Sequence, residues 1–195
     1  MKKVMLFSCL VAALCFATGC GDGKRTPDAV EVAEESNEAK AEATPTADEV
    51  EDDAAFAVKA ANGGLVEVEL AQLAATKATS QEVKTYAQTM MSDHMKANEE
   101  FKSLAAQKNI TLPAALSDES RKDVDRLSAL SGAEFDKEYI AFMVEDHEDD
   151  VELYEKAADD AKDADIKAFA AKTLPTLKSH LDMARRTKEN VDKMQ

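Results

Sequence analysis

From Ala54 to the C-terminus, apolar and small residues return every three or four positions, and almost no stretch alternates with the period of two that a strand requires. A chain with this pattern buries its apolar atoms by packing helices stripe against stripe. The first stripe runs through Phe56, Ala60, Gly63, Leu70 and Ala74, and Glu67 shares that face. Thr79-Ser80-Gln81-Glu82 has the form of a capping box, so a second helix starts within a few residues of the first. So short a joint predicts an antiparallel hairpin.

The second stripe is Val83, Ala87, Met90, His94, Ala97, Phe101 and Leu104, and Asn109 and Pro113 stop it. Ser117 can cap a shorter helix reaching about Leu130. Ser131-Gly132-Ala133-Glu134 reads as another capping box, opening a long helix with Ile140, Met143, Val144, His147, Val151 and Tyr154 inward. Asp163 or Asp165 can cap the last helix, whose stripe is Ile166, Ala170, Thr173, Leu177, His180 and Ala184. Pro175 falls inside it and predicts a kink, with a break and restart as the alternative. The two halves look related: Phe101 follows His94 by seven residues, as Tyr154 follows His147. The expected architecture is therefore all-α, a four-helix bundle of two hairpins with a short extra helix before the third long one. All three histidines of the chain point into it.

The residues before this domain have a different character. Lys2 and Lys3 precede an apolar run from Val4 to Ala17 that is too short to span a bilayer well, which is the form of an export signal over residues 1–19. Ala17-Thr18-Gly19-Cys20 resembles a bacterial lipobox, so Cys20 is expected to carry a lipid and to begin the mature protein. Cys9 and Cys15 leave with the signal, and a lone remaining cysteine permits no disulfide within one molecule. Residues 20–53, rich in Glu, Asp, Ala, Thr and Pro and without aromatics, read as an acidic disordered tether, with a weak Ala/Glu helix from Ala29 to Ala43 as the alternative. The folded domain is expected over 54–195. These features place the chain in the cell envelope, held to the membrane through Cys20, on the periplasmic side of the outer membrane if the cell has two. Gly21 follows Cys20, so the second mature position holds no aspartate to retain the lipoprotein in an inner membrane.

Charge removes one class of partner. The formal net charge is −15, from 24 basic and 39 acidic residues, and it becomes −17 once Lys2 and Lys3 are gone. Such a field repels nucleic acid and anionic head groups and favours cations or a cationic envelope protein. No Gly-rich phosphate loop, Ser-centred elbow or free nucleophilic cysteine supports phosphoryl or acyl transfer.

Gly63-Gly64-Leu65-Val66-Glu67, Met90-Met91-Ser92-Asp93-His94, Phe135-Asp136-Lys137-Glu138-Tyr139 with Asp146-His147, and Leu174-Pro175-Thr176-Leu177 with His180 together resemble domain of unknown function 4142. The resemblance covers about Phe56 to Asn190 and implies a ferritin-like four-helix bundle in a bacterial family generally found exported. It implies no established reaction.

Hairpin geometry brings the buried polar residues together. A turn near residues 79 and 80 sets Glu67 within a helical turn of His94, and a turn near 161 and 162 sets His147 about a turn from His180. Glu67, His94, His147 and His180 are thus expected in one layer near mid-bundle, where bundles build metal sites. A di-iron centre is not expected, because the residues three before the histidines are Met91, Val144 and Leu177 rather than glutamates. One Fe, Zn or Cu ion suits three imidazoles and a carboxylate, with Asp150 as a spare ligand. Met90, Met91, Met95, Met143 and Met183 lie within four residues of a histidine, which suits Cu(I), although methionine also fills helical cores well. Asp93 and Asp146 are expected on the solvent side, within hydrogen-bonding reach of a histidine. A structural polar network of the same groups remains the alternative to a metal site. The functional expectation is a non-catalytic envelope module for binding or stress, and the second reading is a metal-handling or redox enzyme built on the ferritin plan.

Overall fold

The computed structural model describes residues 26–43 and 47–193. Six helices follow one another: α1 Ala29–Ala41, α2 Ala47–Lys77, α3 Gln81–Gln107, α4 Asp118–Ser128, α5 Gly132–Asp160 and α6 Ala164–Lys193. The chain is all-α over the described residues, and α2 with α3 and α5 with α6 form the two hairpins of a four-helix bundle. Helices α2 and α5 pack across the two hairpins, as do α3 and α6.

Local sequence sets most of the boundaries. The capping box expected at Thr79-Glu82 does not form; Ser80 caps α3 instead, accepting from Val83 N. A carboxylate from α5 reinforces that end, because Asp136 accepts from Thr79 N, the Thr79 hydroxyl and Ser80 N, the last at 2.7 Å. At the other end of α3, Asn109 takes φ 57° and Ile110 N donates to Ala105 O at 2.9 Å, the bond pattern of a Schellman stop. Ser117 caps α4 through Ser120 N at 3.0 Å. Asp163, rather than Asp165, caps α6 by accepting from Asp165 N and Ile166 N. Pro175 sits within an unbroken α6.

Two further expectations give way. Ser131 makes no side-chain cap bond, so the capping box expected at Ser131-Glu134 does not form; Gly132, at φ 63°, makes the corner into α5 instead. Of the two readings of residues 20–53, the helix from Ala29 to Ala43 rather than the disordered tether matches what the structure places there: α1 covers Ala29–Ala41, and the start of α2 continues from Ala47. Asp28 and Glu31 form a capping box on α1. Ala33, Asn37 and Ala41 form its buried stripe, and Asn37 binds both backbone groups of Thr111, at 2.9 and 2.7 Å. Asp53, placed in the tether by composition, is buried and accepts from Lys162 N and Asp163 N at the α5–α6 turn. The stripe of α1 is alanine and asparagine, so it has no large apolar residue to reveal its period. The export signal and Cys20 lie outside the described residues. Among those residues no helix is long and apolar enough to cross a membrane.

The apolar core comes in two parts. One gathers Leu70, Val83, Met90, Leu127, Phe135, Ile140 and Met143; the other gathers Phe56, Phe101, Tyr154, Ile166, Phe169 and Leu177. Phe56 stands edge-on to both Phe101 and Tyr154, at 5.8 and 5.1 Å between ring centroids, so the two aromatics seven residues beyond their histidines meet in one cluster. Glu67, His94, His147 and His180 are buried and belong to neither apolar cluster.

Candidate metal centre

Each of the four central helices contributes one residue to the polar layer: Glu67 from α2, His94 from α3, His147 from α5 and His180 from α6. The three imidazoles form a triangle, with centroids 5.2 Å apart for His94 and His180 and 5.6 Å for the other two pairs. One ring nitrogen from each lies within 4.8 Å of the other two. The expected convergence of Glu67, His94, His147 and His180 is what the helix registers produce.

Hydrogen bonds fix which nitrogen each ring presents. His147 Nδ1 lies 3.0 Å from the carbonyl of Met143, which can only accept, so Nδ1 carries the proton and Nε2 carries a lone pair. That Nε2 is buried without a hydrogen-bond partner and sits 3.3 Å from Glu67 Oε1. His180 Nε2 lies 3.0 Å from Asp93 Oδ2, which places its proton outward and turns Nδ1 toward His94 Nε2 at 3.2 Å. On the far edge of His94, Nδ1 is 2.6 Å from Glu67 Oε2.

Two charge arrangements satisfy this chain. With a proton on Glu67, His94 donates through Nε2 to His180, and the carboxyl serves His94 Nδ1. With Glu67 ionised and His94 protonated at Nδ1, lone pairs on His94 Nε2, His147 Nε2 and His180 Nδ1 face one another, and a cation completes that arrangement. Burial lowers the pKa of all three histidines, and it takes His147 down to about 3 with help from the neighbouring rings. They are therefore neutral at physiological pH. Burial also holds the Glu67 and Asp150 carboxyls well above the usual range.

Beside the layer lies a cavity of about 20 Å³, lined in part by Gly64, Asn98, Asp150, Thr173 and Thr176 as well as by His94 and His180. Its size suits about one water molecule or one ion. The two glycines make room for this corner. A Cβ on Gly63 would come 3.3 Å from Asp150 Oδ1, and one on Gly64 would come 2.1 Å from Asn98 Oδ1, whose amide donates to Gly64 O at 2.8 Å.

Asp93 is half-exposed and does reach a histidine, though on α6 rather than on its own helix. The expectation for Asp146 needs correction: its side chain is only 17% exposed, its Oδ2 is enclosed, and its carboxyl meets that of Glu67. Consecutive helical residues point about 100° apart, and the α2–α5 packing turns both Asp146 and His147 inward. Tyr86 and Tyr139 also went unread. Both are buried near Glu67 and Asp146, yet as aromatic residues on apolar stripes they carry no polar signal in sequence.

The sequence pattern of the family described as domain of unknown function (DUF4142) matches residues 36–187. The chain belongs to this family. The DUF4142 match takes in the second half of α1 and all of the polar layer. Two solved structures share the fold. "CopM in the Cu(I)-bound form" is 19% identical, with TM-score 0.61, and "CopM in the Cu(II)-bound form" is 17% identical, with TM-score 0.60. Each alignment covers 71% of this chain and 96% of the other. No curated protein matches the chain.

Proposed function

We propose that this DUF4142 protein is a cell-envelope copper-binding protein, holding one ion through His94, His147 and His180 in a non-catalytic carrying or buffering role. The observation that carries the reading is the unpartnered His147 Nε2, buried beside two other ring nitrogens within 4.8 Å. A buried lone pair 3.3 Å from a carboxylate oxygen is costly, and a cation between such groups removes the cost. Three neutral imidazoles suit copper in either oxidation state, and the bound copper would be held, not turned over, by groups whose tautomers Asp93, Met143 and Glu67 set. Glu67 acts mainly by orienting His94 and balancing charge. The likeness to CopM, whose structures are described as Cu(I)- and Cu(II)-bound, supports copper over zinc or iron, as do the methionines flanking the histidines.

Anaerobic titration of untagged protein with Cu(I) against a competing chelator tests this. One equivalent bound in the wild type, and at least a hundredfold weaker binding by His94→Ala/His147→Ala, is the expected result. Equal, weak uptake by both proteins leaves the layer as a structural polar network instead. The envelope location and the lipid on Cys20 are part of the proposal. Cys20→Ala should leave a soluble or unprocessed protein, and a processed mutant that stays on the membrane contradicts the anchor.

A further inference from the structure

Glu67 Oε2 lies 2.6 Å from His94 Nδ1; the other buried side-chain polar atoms that stand out among the described residues for want of a hydrogen-bond partner form one small group, Glu67 Oε1, Asp146 Oδ2, His147 Nε2 and the hydroxyls of Tyr86 and Tyr139. Native cores leave few such atoms, and each requires an explanation. Five of them gathered around two carboxyls point to a cation among them.

The group is contiguous. Glu67, Asp146 and His147 each offer a donor atom within 4.8 Å of the other two. Tyr86 stands edge-on to Tyr139 at 6.2 Å and to His147 at 6.4 Å. Both phenols feel the charge of Glu67 and Asp146. This group lies on the α2–α5 side of the layer, next to the apolar cluster of Leu70, Val83 and Met90, whereas the cavity with Asp150 borders the cluster of Phe101, Tyr154 and Phe169.

We propose that Glu67 and Asp146, with the hydroxyls of Tyr86 and Tyr139, form a second cation position for a hard or borderline divalent ion of the Mn(II) or Zn(II) class, while the single lone pair on His147 Nε2 stays with the copper position. The donor set decides the class. Carboxylate and phenol oxygens prefer hard ions, while the three-imidazole position beside them prefers copper. Glu67 is placed to bridge, since Oε2 is 2.6 Å from His94 and Oε1 is 3.3 Å from His147. Burial and the neighbouring carboxyls keep both tyrosines protonated, so they offer neutral oxygens to the ion or to a water upon it. A divalent ion also offsets the repulsion between two buried carboxylates, which otherwise share a proton. The position leans on the copper reading only through Glu67, whose Oε2 orients His94 and whose Oε1 faces the second position.

The test uses the whole untagged chain, metal-free and then loaded with one equivalent of Cu(I), each titrated anaerobically with Mn(II) and separately with Zn(II). The copper-loaded wild type should take up one further equivalent of at least one of these ions. Asp146→Asn should weaken that uptake at least tenfold while its copper content stays the same, and Tyr139→Phe should weaken it several-fold. His180→Ala should lose copper and keep the second ion. Circular dichroism and thermal melts report whether each variant folds, and Asp146→Glu, which keeps the carboxylate, should restore part of the binding if Asp146→Asn folds poorly. Uptake of neither ion by the wild type, or equal uptake by Asp146→Asn, overturns the second position and leaves Glu67 and Asp146 as a proton-sharing carboxyl pair. Absence of copper with Mn(II) or Zn(II) still bound overturns the copper reading alone.

Discussion

Asp93 Oδ2 lies 3.0 Å from His180 Nε2, so a half-exposed carboxylate on α3 sets the tautomer of a buried imidazole on α6. The same pairing turns His180 Nδ1 toward His94. Removing the negative charge of the acceptor while keeping its shape should therefore reach the metal position without touching it. Asp93→Asn is expected to lower copper affinity about 10- to 100-fold, the usual effect of losing such an orienting partner, with little change in melting temperature. Competition titration and thermal melts measure the two quantities; a loss in stability as large as the loss in affinity would mean Asp93 is merely structural.

His147 gives the pH dependence its sign. Its pKa falls from 6.5 to about 3 on folding, because burial and the neighbouring rings disfavour the charged form. Between those values the unfolded chain binds a proton that the folded chain does not. Stability is thus intact above about pH 6.5 and drains away as pH falls toward 3, by up to about 1.4 kcal/mol per pH unit for each such histidine. His94 and His180 are shifted the same way. The raised carboxyls of Glu67, Asp146 and Asp150 act in the opposite sense, because there the folded chain holds protons that the unfolded chain has lost, so the histidine contribution is read by difference: in chemical denaturation of metal-free protein between pH 7 and 4, His147→Gln should lower the slope of stability against pH by up to one proton's worth.

Gly64 marks a backbone approach that a side chain cannot share. Gly64→Ala would drive a Cβ to 2.1 Å from Asn98 Oδ1 and break the Asn98–Gly64 hydrogen bond, at a cost of about 1–3 kcal/mol. The clash is with a side chain, so Gly64→Ala/Asn98→Ala should recover part of the loss. An additive double mutant in denaturant melts would argue that the strain lies elsewhere.

Helix α1 hangs on Asn37. Its amide makes both polar bonds to the Thr111 backbone, and Asn37→Ala should cost about 1–3 kcal/mol locally. Hydrogen exchange is expected to rise across 29–41 while the bundle from α2 to α6 keeps its protection. Uniform loosening of the whole domain would show that α1 is part of the core rather than a strap on it.

Much of this architecture is legible in single residues. Ser80, Ser117, Asn109 and Asp163 mark helix ends through bonds confined to a few neighbouring positions, so the sequence states them directly. Asp136 capping α3 from another helix, Asp53 holding the α5–α6 turn and Asn37 anchoring α1 all act over 50 or more positions, and no local pattern distinguishes them from surface polar residues. The same holds for Asp146, one residue from an inward histidine and read as facing solvent.

The sequence by itself determined that the chain forms a helical bundle and that Glu67, His94, His147 and His180 lie on inward stripes near one height. Periodicity and hairpin length are local quantities, and both are written in the order of residues. Only the tertiary structure decided which ring nitrogen faces which, that His147 Nε2 finds no hydrogen-bond partner, and that Asp146, Tyr86 and Tyr139 are buried near Glu67. Those relations depend on helix rotation and side-chain direction across three and four helices at once, which the spacing along one chain does not encode.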